Sequence, residues 1–204
     1  MQWFYDLILF LTALPGLIWF RTKIIYEDKK KVRIKGGALV VSNHIGFVDP
    51  VYLMYGIWYR RHHFICMKEL FEKPFTKWFF KMCMCIPIDR ENLSMESFRR
   101  ISDTMKEGKV VSMFPEGHVN VENSDTKQFK SGMVLMALKG NAPIVPVYIE
   151  QRKHFWNRLR VTVGQPIDIK AIYGDRPSLR QIDEIAELIF KKEKELKELA
   201  ERTK

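Results

Sequence analysis

Apolar positions in this chain form one long run and many short ones. The long run, Trp3 to Phe20, is broken only by Asp6, Thr12 and Pro15-Gly16, and it ends against Arg21 and Lys23. As a straight helix it would reach roughly 27 Å at about 1.5 Å per residue, against a hydrocarbon core of roughly 30 Å. Pro15-Gly16 predicts a break or kink, which sets two short interfacial helices beside a single spanning helix; packing against a core is the third reading. In the interfacial reading Trp3, Phe4, Tyr5, Trp19 and Phe20 are the aromatic anchors. Positive charge before the run and a small-residue cleavage site after it are both missing, so a cleaved signal is not predicted.

The short runs alternate in kind. Lys23 to Tyr26 is a short extended stretch, and Ala38 to Val41, Met84 to Ile88, Val110 to Phe114, Ile144 to Ile149 and Leu159 to Val163 are apolar or β-branched and read as strands. Helical patterns lie between them, at Val51 to Trp58, Pro74 to Lys81, Ser94 to Lys106 (with Phe98, Ile101 and Met105 on one face) and Ser131 to Lys139. Ser178 and Gln181 make a capping box ahead of an apolar stripe of Ile182, Ile185, Ile189 and Leu196, which predicts a C-terminal amphipathic helix packed on the domain. Strands separated by helices imply an α/β layered domain. The expected organisation is an N-terminal apolar anchoring segment over 1–22 and one domain over 23–204.

Charge narrows the partners. A formal net charge of +10 favours a polyanion, either nucleic acid or anionic lipid. Nucleic-acid binding wants basic residues interleaved with stacking aromatics on one surface, whereas here an apolar N-terminus runs into cations, which favours membrane lipid. If the segment spans, the positive-inside tendency of Arg21, Lys23 and Lys29 to Lys31 puts the domain on the cytoplasmic face, and the interfacial geometry gives the same side. Cys66, Cys83 and Cys85 have no metal-ligand spacing and read as reduced thiols without chemistry. His62-His63 beside Arg60-Arg61 reads as a surface patch, with spacing unsuited to two metal ligands on a helix face.

Candidate chemistry concentrates between Val40 and Pro50. A strand ends in Asn43-His44, and Asp49-Pro50 opens a helix, with Asp49 expected as its N-cap and Pro50 at its first position. The four-residue spacer lets the carboxylate turn back on the imidazole, orient it and stabilise its protonated form, as in a His-Asp general-base pair. Spacing alone leaves Asp49 open to a purely capping role, which it favours over catalysis.

Asn43-His44 with Asp49 resembles the Asn-His-x4-Asp signature of the 1-acylglycerol-3-phosphate acyltransferases and their relatives. Ile86-Pro87-Ile88-Asp89-Arg90, Phe114-Pro115-Glu116-Gly117, Phe129-Lys130-Ser131-Gly132 and Pro143-Ile144-Val145-Pro146-Val147 are similar to further blocks of that family, in its order. The resemblance implies an α/β fold with a mixed β-sheet flanked by helices. It also implies transfer of an acyl group from acyl-CoA or acyl carrier protein to a lysolipid hydroxyl, with no covalent acyl-enzyme, metal or other cofactor. By the same resemblance His44 is the general base, Asp49 its partner, and Asn43, Arg90, Glu116, Gly117 and Lys130 belong to the substrate site. Arg90 suits phosphate because a guanidinium makes paired charge-assisted bonds.

One departure matters. The family's Glu-Gly-Thr-Arg-Ser is here Glu116-Gly117-His118-Val119-Asn120, so the arginine commonly assigned to the acceptor phosphate is a valine. Arg90, Lys127, Lys130 or His118 are the replacements in sequence, and a different lysolipid, an aminolipid or a glycolipid is the rival acceptor. His118 reads as a polar pocket residue, and His154 has no supporting motif.

Overall fold

The computed structural model describes residues 2–18, 22–28, 33–89, 94–115, 126–150 and 158–203. Its centre is a seven-stranded sheet in the order β1-β7-β6-β2-β5-β3-β4. The strands are β1 (Lys23–Tyr26), β2 (Ala38–Ser42), β3 (His62–Met67), β4 (Ile86–Ile88), β5 (Val110–Met113), β6 (Ile144–Ile149) and β7 (Arg160–Val163). All neighbours are parallel except β6 and β7, which makes the sheet mixed. Parallel strands need both faces covered and therefore read as unbroken apolar runs; every residue of β2 is buried.

Side chains alternate between the two faces. Ala38, Val40, Val110, Val145 and Val147 point to one core, shared with Leu53 and Ile57. Leu39, Val41, Val111, Met113 and Ile144 point to the other, shared with Ile101, Met105, Met133 and Ile185. The first face is covered by α1 (Gln2–Ile18), α2 (Asp49–Gly56) and α3 (Pro74–Met82); the second by α4 (Met95–Lys106), α5 (Thr126–Gly140), α6 (Ile169–Tyr173) and α7 (Leu179–Arg202). Ser178 and Gln181 form the expected capping box of α7. Just before β2 the chain passes close to the end of α4, where a Cβ at Gly37 would collide with the Met105 carbonyl.

Three expectations need correction. First, α1 is continuous through Pro15-Gly16: one lost N–H and a glycine weaken a helix without forcing the chain out of it. Its polar interruptions dock it. Asp6 takes a bidentate pair from Arg61 at 2.9 and 2.8 Å, the Thr12 carbonyl accepts from the Tyr55 hydroxyl, and Tyr5, 2% exposed, accepts from the His62 N–H at 3.1 Å. Tyr5 is thus a core residue and not an interfacial anchor; Trp19 and Phe20 lie outside the described residues.

Second, His62-His63 is the start of a strand. His62 is fully buried, its Nδ1 is 2.7 Å from the Ser112 hydroxyl, and its ring stacks on Phe64. Burial holds its pKa down at about 4, so it is neutral at pH 7. Arg60 is likewise structural, donating to the carbonyls of Ile34, Gly36 and Gly108. Third, the N-cap of α2 is Val48, with no side-chain cap, and Asp49 is the first helical residue. The Asp49 carboxylate is occupied upstream.

Candidate active site

The sheet places three of the sequence blocks, and Lys68 beside them, by one rule: ligands of open α/β sheets gather outside the C-terminal ends of the parallel strands. At that edge β2 delivers His44, β4 delivers Asp89, β5 delivers Phe114-Pro115 and β3 delivers Lys68. The block at Pro143 to Val147 is structural, since it forms β6 beside β2 and its Pro143 carbonyl accepts from the Leu39 N–H at 2.9 Å.

His44 Nδ1 lies 2.7 Å from Asp49 Oδ2. The same oxygen accepts the N–H groups of Ile45 at 2.6 Å and Gly46 at 2.8 Å, so the carboxylate closes its own four-residue loop while facing the ring. Asp49 is 1% exposed and His44 19%. A carboxylate already taking two amide donors is an acceptor, which puts the imidazole proton on Nδ1 and leaves Nε2 as the proton-accepting atom. Phe114 stacks on the imidazole, with centroids 4.4 Å apart and planes 19° apart, and fixes the ring from one side. The arrangement can take a proton from a hydroxyl, hold the resulting imidazolium against Asp49, and return the proton to a leaving group.

Asn43 stands behind this pair. Its side-chain amide donates to the Ile149 carbonyl and accepts from the Ile149 N–H, both at 2.8 Å, tying the end of β2 to the end of β6. Both ends of the amide are engaged there, which makes it a brace under His44. Arg90, Glu116 to Asn120 and His154 lie outside the described residues, as do the side chains of Lys127 and Lys130. Reading the sequence for strands missed Lys68, because β3 itself went unread; it pairs with Asp89 at the strand ends.

His44 sits between two cavities of opposite character. An apolar one of about 430 Å³ is lined by His44, Phe47 and Phe114, by Phe64 of β3, and by Tyr5 and Ile8 of α1. That volume lies in the range of roughly 300–1,000 Å³ typical of ligand pockets. Cys66, Cys83 and Cys85 line it as free thiols, and burial pushes the Cys83 thiol up to about 11, in keeping with an inert apolar role. A polar pocket of about 280 Å³ is lined by Asn43, His44, Ile45, Tyr148, Glu193, Lys194 and Lys197. A larger cleft of about 1050 Å³, lined by Arg61, His63 and Lys109 among others, does not include His44. Among the described residues no group of three His, Cys, Asp or Glu side chains could hold a metal.

Known proteins resemble the chain over most of its length. It is 28% identical over 189 residues to the 1-acyl-sn-glycerol-3-phosphate acyltransferase of Bacillus subtilis (strain 168), covering 90% of this chain and 93% of that one. The enzyme of the same name from Streptococcus pneumoniae (strain ATCC BAA-255 / R6) is 31% identical over 140 residues, 66% of this chain and 51% of its own. In three dimensions the chain shares the fold of the 1-acyl-sn-glycerophosphate (LPA) acyltransferase PlsC from Thermotoga maritima, with a TM-score of 0.65 at 19% identity over 96% of this chain and 81% of that one. The family model described as Acyltransferase matches residues 23–150, from β1 through the end of β6 and more than half of the chain, so this protein belongs to the Acyltransferase family and is an acyltransferase.

Proposed function

We propose that the chain transfers a fatty acyl group from acyl-CoA or acyl carrier protein to the free hydroxyl of 1-acylglycerol 3-phosphate, giving phosphatidic acid. The observation that carries this reading is the place of His44, paired with Asp49 and set between an apolar cavity and a polar one. An acyl chain fits the first and a glycerol phosphate head the second, so hydroxyl and thioester meet at the imidazole. His44 Nε2 takes the hydroxyl proton as that oxygen attacks the thioester carbonyl. The C–S bond breaks, and the departing thiolate receives the proton from His44. Because a thioester is already activated, holding a deprotonating alcohol against it supplies much of the rate. Arg90, Glu116, Gly117 and Lys130 belong to the acceptor site in this reading, and Lys68 adds a cation held by Asp89. No metal or organic cofactor takes part. The names carried by the bacterial relatives favour the same acceptor.

Membrane lipid is the second substrate reservoir. No helix among the described residues is long and apolar enough to cross a membrane. Trp3 (63% exposed), Phe10 (77%) and Leu11 (60%) of α1, and Phe75 and Trp78 of α3, nevertheless present large apolar side chains to the outside on two helices joined through Phe4 and Trp78. Such a surface suits a bilayer interface, and we place it on the cytoplasmic face, where the thioester donors are. Val119 in place of the family arginine favours a second reading, the same chemistry on another lysolipid acceptor.

Thiol release from acyl-CoA and acyl carrier protein, measured with lysophosphatidic acid and with zwitterionic or neutral lysolipids, tests both. Turnover of lysophosphatidic acid that is lost in His44→Ala supports the first reading. Turnover confined to another lysolipid replaces it with the second, and full activity in His44→Ala removes the assigned base.

A further inference from the structure

The C-terminal helix brings cations to the imidazole from the far end of the chain. Leu196 is buried against Gly164, where a Cβ would stand 3.1 Å from its Cδ1 and 2.9 Å from the Pro146 ring, so helix and sheet approach closely and the rotation of α7 is fixed. With Leu196 inward, Glu193, Lys194 and Lys197 form one patch at helical spacing, and that patch is a wall of the polar pocket that also contains His44, Asn43 and Tyr148. Lysines of this helix differ in their engagement. Lys192 bridges Glu27 at 2.6 Å and Glu195 at 2.9 Å. Neither Lys194 nor Lys197 enters an ion pair among the described residues. Tyr148, on β6, adds a hydroxyl that burial, and after it Glu150, Glu201 and Glu193, keep protonated by raising its pKa to about 12, so that it is a hydrogen-bond donor. In the pocket wall itself two lysines stand against one carboxylate, Glu193; of the other carboxylates near Tyr148, Glu150 is paired with Arg160 at 2.6 Å and Glu201 is not part of the wall.

We propose that Lys194 and Lys197 hold the phosphate of the acceptor in this pocket, with Tyr148 as a neutral donor. The proposal rests on the acyltransferase reading above, and it names the charge that replaces the arginine missing at Val119. Two phosphates could enter such a pocket, that of the acceptor and that of the pantetheine arm on the donor. Reach separates them. In a glycerol phosphate the reacting hydroxyl oxygen is four bonds from phosphorus, at most about 6 Å. In the donor the thioester sulfur is more than a dozen bonds from the pantetheine phosphate, roughly 15 Å when extended. A pocket whose wall includes His44 fits the shorter span.

The test is steady-state kinetics of full-length Lys194→Ala/Lys197→Ala against wild type and the control Lys191→Ala, an exposed lysine of α7 outside the pocket. Both substrates are varied, with acyl-CoA and acyl carrier protein as alternative donors. The double variant should raise KM for lysophosphatidic acid about tenfold, near the worth of one charge-assisted bond. Its kcat should stay within about twofold, its KM for either donor should be unchanged, and Lys194→Arg/Lys197→Arg should restore most of the acceptor affinity. A raised KM for the donors with the acceptor unaffected would assign the lysines to the carrier phosphate and overturn the proposal, as would an acceptor KM unchanged in the double variant when the wild type turns over lysophosphatidic acid. A wild type with no turnover of lysophosphatidic acid would instead remove the functional reading beneath it.

Discussion

Replacing Asp49 by Asn isolates what its charge does. In the native site one carboxylate oxygen serves the imidazole at 2.7 Å and the N–H groups of Ile45 and Gly46. An asparagine of the same shape can place its carbonyl oxygen there, because both backbone donors demand an acceptor. Loop and tautomer then persist, and only the negative charge is lost. With the charge centre about 4 Å from the imidazolium and an effective dielectric near 20, that loss is about 4 kcal/mol before allowing for the part of His44 open to solvent. The expected fall in kcat is therefore about 10²- to 10³-fold, with KM values and melting temperature near wild type. Asp49→Ala should do worse in both respects, since it also releases the tautomer and leaves two loop amides unpartnered. Thiol release at saturating donor and acceptor, with thermal unfolding in parallel, reads both effects. Asp49→Asn within tenfold of wild type would refute an electrostatic role and leave Asp49 as a loop clasp.

Asn43→Ala removes two buried hydrogen bonds and leaves the backbone of Ile149 unpaired, so it should cost about 2–4 kcal/mol in urea unfolding, with activity falling as His44 loses its brace; an unchanged midpoint counts against the brace. His62 titrates near its ordinary value of 6.5 when unfolded and at about 4 when folded, so the unfolded chain binds more protons between those values. Stability should be complete above pH 6.5 and decline by up to about 3 kcal/mol as pH falls to 4. His62→Asn should lower stability overall yet flatten that slope, and an identical slope would show that another group titrates. Cys66→Phe fills part of the apolar cavity and should raise kcat/KM for dodecanoyl over hexadecanoyl donors; an unaltered ratio would place the donor chain elsewhere.

Legibility in the sequence followed local physics. Strands β2, β5 and β6 are buried on both faces and announce themselves as apolar runs, and the loop from His44 to Asp49 was readable because a short spacer after a strand returns the chain to the sheet edge. Strand β3 was not, because His62 and His63 look hydrophilic until Ser112 and burial are seen to hold one of them neutral. The capping role of Asp49 was misplaced because its donors lie upstream, where spacing alone gives no preference. Lysines 194 and 197 were invisible for a different reason: on a helix crowded with charge, nothing local marks the two that face a pocket more than a hundred residues away in sequence.

The first helix has two occupations at once. Its outer face exposes Trp3, Phe10 and Leu11, which the proposed function sets against a bilayer, while Tyr5 and Ile8 on its inner side form part of the lining of the apolar cavity. Under the proposed bilayer contact, cutting it away would detach the protein from lipid, and it would also unroof the chamber, leaving an open trough that any hydrocarbon, or water, could enter. Truncation therefore confounds tethering with containment. Polar replacements confined to Trp3, Phe10 and Leu11 separate them, and if the proposed bilayer contact holds, this helix joins the depth at which the enzyme rides in a membrane to the room it offers an acyl chain.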